Sequence, residues 1–578
     1  MELARLSRLE ENLIRPQHRE LVSSPLIATM VLRTLMEAGG KELGRCDLYQ
    51  LAFEHSLQSS SSAGLLAMDT TRLGQLGVDG AACELAFELQ SRSTRAFTPK
   101  IAANVTSSES MDALVSMGQG GWLALLFEAC EDGMQFRHVS MQEFLAAKHL
   151  WRRLAQGAQL PAWLLKEAGG NEAALGCGRF FCTLAACQGS VGAAVLQQPE
   201  RFTELREGLG CILRNMSRVG DCLAVCSLLG MVPNLQALLF AADTSKQCST
   251  ALHLAAMHGH SAVARVLLEL APSPGALAAA ADSEGLTALH CAAQSGHEAT
   301  CHVILDLVPS KWPLLFAPDR SDQGHTSLHL AARQGHAAVC RSLLMEAPCA
   351  AELDGASDGS GFTALHLAAQ HGHEQVARIL LSLTPYPGLL LATANKFDVR
   401  TPLHLAAEAG EHVMVRTLLE LTPGPAERAR LLAAGDSLGL TALHLAADGG
   451  QEAAVRALLE HVPDTEALDT LLSARERLTG QTPLHLAADS GHGSTVSTLL
   501  HFAPHRANMV QAVDRCGQYT ALHLAAEKGR TGAVRALLEC APDRGALLAM
   551  GERCAGLLAL HLAAGAGHEE AVRLLLEL

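Results

Sequence analysis

Metal chemistry is the first question the residue types raise, because the 578-residue chain holds 27 histidines and 17 cysteines. Nine histidines recur at one place in a T-x-L-H unit: His253, His290, His329, His366, His404, His444, His485, His523 and His561. A bound ion needs ligands converging from short fixed spacings, as in H-E-x-x-H or paired C-x-x-C. Neither pattern occurs. Cys177, Cys182, Cys187, Cys211, Cys222 and Cys226 crowd one segment without zinc spacing, and they read as small buried hydrophobes. Serines and histidines are plentiful, but no catalytic triad can be argued from them. A phosphate-cradling G-x-x-x-x-G-K-[ST] loop is also missing: AGGKELG near Lys41 has Leu35 where the first glycine belongs and Glu42 where Ser or Thr belongs. The expectation is therefore no catalytic residue, no metal and no enzyme.

The recurring histidines belong to a repeat. T-x-L-H begins at Thr250, Thr287, Thr326, Thr363, Thr401, Thr441, Thr482 and Thr520, and a ninth copy begins at Leu558. Periods near 40 residues mean a solenoid. Threonine suits the N-cap of a first helix. Paired alanines at +5 and +6 let neighbouring helices approach, and glycine at +9, from Gly259 to Gly567, ends the helix in a left-handed turn. Leu-Leu (Ile304-Leu305 in one copy) marks a second helix, and Pro at +22 stops it. Asp-x-x-Gly at Asp282, Asp358, Asp436 and Asp514 predicts tight turns at four joints. Stretches such as GALAAAAD and LLAAGD predict a further helical turn beside the second helix. LAVCSLLGMVPNLQALL (223–239) aligns with LHLAAMHGHSAVARVLL, setting Gly230 under Gly259, and predicts a degenerate cap. The last helix, EEAVRLLLEL, carries no polar closing repeat, so the chain reads as cut there or as meeting a partner.

T-A-L-H-L-A-A-x-x-G-H resembles the ankyrin repeat over residues 250–578, each copy several residues longer than the usual unit. The resemblance implies that the recurring histidine ties one repeat to the next by hydrogen bonds. It also implies a concave face lined by the two positions before the glycine. Those are Met257 and His258, Gln294 and Ser295, Arg333 and Gln334, Gln370 and His371, Glu408 and Ala409, Asp448 and Gly449, Asp489 and Ser490, Glu527 and Lys528, and Gly565 and Ala566. They vary inside an unvarying frame, which suits recognition of a protein partner.

Before residue 240 the repeat grammar is absent. Helical patterns run through 20–37, 43–57, 81–90 and 108–130, and another follows Phe136 with Val139, Phe144, Leu145, Ala147 and Leu150 at helical spacing. SSPLIATMVL, RCDLYQLAF and FRHVSMQEFLAAKHL resemble the helical and winged-helix portion of a NACHT-type signalling NTPase. The resemblance implies that Pro25 packs on adenine and that His138 reaches the nucleotide phosphate. Met141 stands where that family has Phe. ADP or ATP would be a cofactor only if a phosphate loop lies upstream; otherwise none is expected.

A net charge of −15 argues against a general nucleic-acid binder. The charged start lacks a signal peptide's apolar core, SSPLIATMVL is too short to span a bilayer, and an odd number of cysteines points to reduced thiols in the cytoplasm or nucleus. The expected fold is all-α: an ankyrin-repeat α-solenoid with an N-terminal helical, winged-helix-like module. The expected domains are 1–155 (the NACHT-type remnant), 156–220 (a helical connector), 221–249 (the cap) and 250–578 (nine repeats). The expected function is a non-enzymatic protein-interaction scaffold. The alternative is the regulatory and sensor half of a nucleotide-switched NTPase.

Overall fold

A computed structural model of the chain describes residues 139–164, 172–187, 196, 198–242 and 248–577 apart from 348 and 553–555, together with short segments between 82 and 136. Pro25 and His138 lie outside the described residues, as do the helical patterns expected over 20–37 and 43–57. The chain divides into two compact bodies, Met1–Ala280 and Ala281–Leu578. Among the described residues no helix is long and apolar enough to cross a membrane.

The first body opens with a small antiparallel sheet of order β1-β3-β2, built from β1 (Ala96–Phe97), β2 (Phe127–Cys130) and β3 (Gly133–Phe136). Phe127–Cys130, expected as the end of a helix over 108–130, is instead strand β2, and the rest of that expected helix lies outside the described residues. Then follow α1 (Val139–Ala155), α2 (Glu172–Cys187), α3 (Pro199–Val219), α4 (Cys222–Met231) and α5 (Leu235–Leu239). Phe144, Leu145, Ala147 and Leu150 of α1 are buried, as their spacing required. Trp151 stacks on Phe181 of α2 at 4.3 Å, and its indole N–H donates to the Phe181 carbonyl at 2.7 Å. Cys177, Cys182 and Cys211 are buried hydrophobes, whereas Cys222 is half-buried and Cys226 exposed, so that reading fails for the last two.

The first repeat packs in this body, its helix Ala251–Met257 on α3 and its helix Ser261–Glu269 beside α4. Here the sequence alignment of the cap is corrected. Gly230 lies inside α4 with open space around it. Gly220 ends α3 with φ 81° and receives the ring of His260, whose Nε2 bonds the Arg218 carbonyl at 2.9 Å. The capping pair is α3 and α4, and its glycine is Gly220.

The second body repeats one plan eight times. First helices such as Ala364–Gln370, Pro402–Ala409 and Ala442–Asp448 stack on one another, and second helices such as Glu374–Leu383, His412–Glu420 and Glu452–Glu460 stack behind them. In these three second helices the paired leucines are buried: Leu380 and Leu381, Leu418 and Leu419, Leu458 and Leu459. The surplus residues after the proline form a third short helix, for example Pro387–Ala392, Pro425–Ala433 and Thr465–Leu472. These three dock apolar pairs: Leu390 and Leu391, Leu431 and Leu432, Leu471 and Leu472.

Candidate protein-binding surface

The glycine at +9 takes positive φ in all nine copies, from 67° at Gly450 and Gly529 to 91° at Gly491. That left-handed turn costs a side chain 1–2 kcal/mol, about what glycine avoids. It exposes the two residues before it. Gln294, Ser295, Arg333, Gln334, Gln370, His371, Glu408, Asp448, Glu527 and Lys528 are all exposed in the second body, as are Met257 and His258 in the first. Asp489 and Ser490 are half-buried. Ser490 Oγ donates to Asp448 Oδ1 at 2.8 Å, so helix ends of adjacent repeats touch. Glu408 accepts from Arg400 at 2.8 Å. Within the second body the row changes from neutral and basic (Gln294 to His371) to mainly acidic (Glu408, Asp448, Asp489, Glu527).

Two ties hold the row in register. In the first, the recurring histidine sits one turn inside its helix, fully buried in every copy but the last, where His561 is exposed. Its Nδ1 accepts the N–H of the capping residue, at 3.1 Å for Thr363–His366 and Thr441–His444. With Nδ1 accepting, the proton sits on Nε2, which donates into the following repeat: His329 to the Phe362 carbonyl at 3.0 Å, His366 to Arg400 at 3.1 Å, His485 to Tyr519 at 3.2 Å. Burial lowers the pKa of His329, His366, His444 and His485 to about 4, so all four are neutral at pH 7. The ring nitrogens of these histidines are engaged in the frame and are not grouped for metal binding. Among the described residues His302, Asp306 and Glu346 bring three possible ligand atoms within 4.8 Å of one another. They are exposed or half-buried, and Lys311 Nζ already sits 2.5 Å from Glu346.

The second tie is a residue class whose function was not read from the sequence. The side chain just after the glycine lies over the glycine of the preceding repeat and bonds the carbonyl two residues before that glycine. His336 reaches Gln294 at 3.0 Å, His373 reaches Arg333 at 2.9 Å, Arg530 reaches Asp489 at 3.1 Å and His568 reaches Glu527 at 3.1 Å. The recurrence of His after Gly-9 was its only sequence signal.

The joints are β-hairpins. Asp282 Oδ1 accepts the N–H groups of Glu284 and Leu286, and Asp436 those of Leu438 and Leu440, all at 2.9 Å. Glycine takes positive φ at Gly285, Gly361 and Gly439. In the fourth Asp-x-x-Gly joint Gln518, at φ 56°, takes that conformation in place of Gly517. Backbone bonds run between hairpin tips: Lys396 N–H to Ser360 at 3.0 Å, then Ser437 to Asp398, Arg477 to Leu438 and Arg515 to Thr479, each at 2.7 Å.

These features define a repeat protein whose frame is spent on presenting surface. A sequence profile of the family "Ankyrin repeats (3 copies)" matches residues 222–313, 311–389, 388–469, 427–510, 463–547 and 503–578, more than half of the chain. The chain belongs to the ankyrin-repeat family, which points to protein partners. No curated protein matches it.

Proposed function

We propose that the chain is a non-enzymatic scaffold that grips a partner protein along the stacked first helices of the ankyrin array. The observation that carries this is the double set of inter-repeat hydrogen bonds, which fixes the backbone while leaving Arg333, Gln370, Asp448 and Glu527 free to differ at a constant spacing. A pre-ordered surface of this kind loses little entropy on binding. We divide the chain into a front module (1–155), a connector (156–220), a cap (221–249) and nine repeats (250–578), with the capping contacts beginning upstream in α3. The reading needs no cofactor. Its test is affinity purification of the full chain against E408K/D448K/E527K, with circular dichroism as the folding control. Loss of the same proteins from the variant supports the reading, and an unchanged set overturns it.

One observation favours a second reading. The β2–β3 hairpin feeds directly into α1 at FRHVSMQEFLAA, the order of sheet and helix suited to a winged-helix domain. On this reading His138 and Pro25 contact ADP or ATP held by a phosphate loop encoded upstream. An in-frame G-x-x-x-x-G-K-[ST] in the upstream coding sequence supports it, and a stop codon there ends it.

A further inference from the structure

The hairpin tips between residues 395 and 516 differ from the rest of this acidic chain. Four of their cationic residues, Lys396, Arg475, Arg477 and Arg515, are exposed. The carboxylates of the same hairpins point the other way. Asp436, Glu476 and Asp514 are buried, where they accept backbone N–H groups such as those of Leu440 (2.9 Å), Leu478 (2.6 Å) and Tyr519 (2.9 Å). Asp398 is the exposed carboxylate of these tips. Turn formation thus consumes the acids and leaves the bases outside.

The cationic groups are also held in place. A Cβ at Gly439 would stand 2.8 Å from Arg477 Cγ, and one at Gly480 would stand 2.4 Å from Arg515 Cγ, so each arginine stem lies against the glycine of the preceding hairpin. Arg475 Nη1 donates to the Val513 carbonyl at 2.6 Å. Among the described residues the ion pairs of this region go to Arg378, Arg400, Arg416 and Arg456, and none goes to these four.

Between the cations stand large apolar side chains in the open: Phe397 at 72% exposure, Leu438 at 43% and Leu478 at 70%. Val399 is 47% exposed and sits at φ 57°, in the left-handed region that glycine fills in the neighbouring hairpins. A β-branched residue there is costly, and such strain collects at functional positions. Contiguous exposed apolar surface rimmed by charge marks an interaction site.

We propose that these tips form a second recognition strip, and that its occupant is an acidic protein segment carrying apolar side chains. The inference rests on the scaffold reading and names the partner's chemistry. The cations pair with the segment's carboxylates, and Phe397, Leu438 and Leu478 cover its apolar residues. The acidic helix ends at Glu408, Asp448 and Asp489 repel the same segment and confine it to the tips. Interleaved aliphatic side chains and an overall negative charge favour protein over nucleic acid.

The test is selection of a random peptide-display library on the immobilised full chain, followed by affinity measurement for the selected peptides. The expected peptides are rich in Asp and Glu interspersed with Leu and Phe. R475E/R477E/R515E should weaken them about tenfold or more, as should F397S/L478S, and added salt should weaken them further. All five positions are exposed, so both variants should keep the wild-type circular dichroism, although the triple variant loses the bond from Arg475 to the Val513 carbonyl. Peptides that respond to E408K/D448K and not to the tip variants would sink the strip while leaving the scaffold standing. Retention of single-stranded RNA by the tips, without acidic peptides, would also sink it. A library yielding no binder overturns both readings.

Discussion

At the scale of single residues, the least expected side chain is Asp354. It ends the third helix of its repeat, Ala350–Asp354, where other copies bury Leu315, Leu391, Leu432 or Leu472. It is 1% exposed and neither carboxyl oxygen has a hydrogen-bond partner. Burial raises its pKa to about 8, so the carboxyl folds as the neutral acid at pH 7. An unsatisfied buried polar group costs about 1–3 kcal/mol. Asp354→Leu should therefore stabilise the chain by about 2 kcal/mol in urea titrations at pH 7. The folded pKa lies above the unfolded one, so the cost grows as pH rises from about 3.8 to about 8. The gain from the substitution should shrink accordingly at acid pH. An equal gain at pH 4 and pH 7 would refute this account.

At the scale of elements, the turn between first and second helices carries both conformation and contact. Gly335 sits at φ 80°, and a Cβ there would lie 2.6 Å from Nδ1 of His373. Gly335→Ala pays for the left-handed backbone and displaces the ring that bonds the Arg333 carbonyl. The expected loss is about 2–3 kcal/mol by chemical denaturation, against about 1 kcal/mol for His373→Ala, which removes the bond alone. Similar losses for the two variants would mean that backbone strain contributes nothing. The third helices belong to this scale as well. Their existence was legible in the surplus residues after each proline, because Ala- and Leu-rich runs have few other uses. The apolar cleft of about 710 Å³ that two of them form around Tyr386, Leu389, Thr422 and Arg430 was not, because it depends on adjacent repeats meeting.

For the whole molecule, the buried histidines add up. His329, His366, His444 and His485 titrate near 4 when folded and near 6.5 when free. Between those values the unfolded chain binds protons that the folded chain refuses. Stability is then complete above about pH 6.5 and falls as pH drops toward 4, by about 1.4 kcal/mol per pH unit for each such histidine. Asp354 opposes this as a single group. Denaturation midpoints followed from pH 7 to pH 4.5 should drop steeply, and His366→Gln should flatten the slope by about one proton. A flat profile in the wild type would mean that these rings charge freely in the fold. How such features could be foreseen depended on their range. Thr363, Gly372 and Leu380-Leu381 each obey a rule local to a few residues, so their spacing alone determined two helices per repeat and the turn between them. The cap resisted, because Gly220 is marked by a ring 40 positions away, at His260, and Gly230 mimicked it in the aligned sequence. The basic and apolar hairpin tips resisted for the same reason. In the sequence Arg477, Glu476 and Arg475 are an unremarkable mixed run, and only folding turns the acid inward onto backbone amides and leaves the bases facing out.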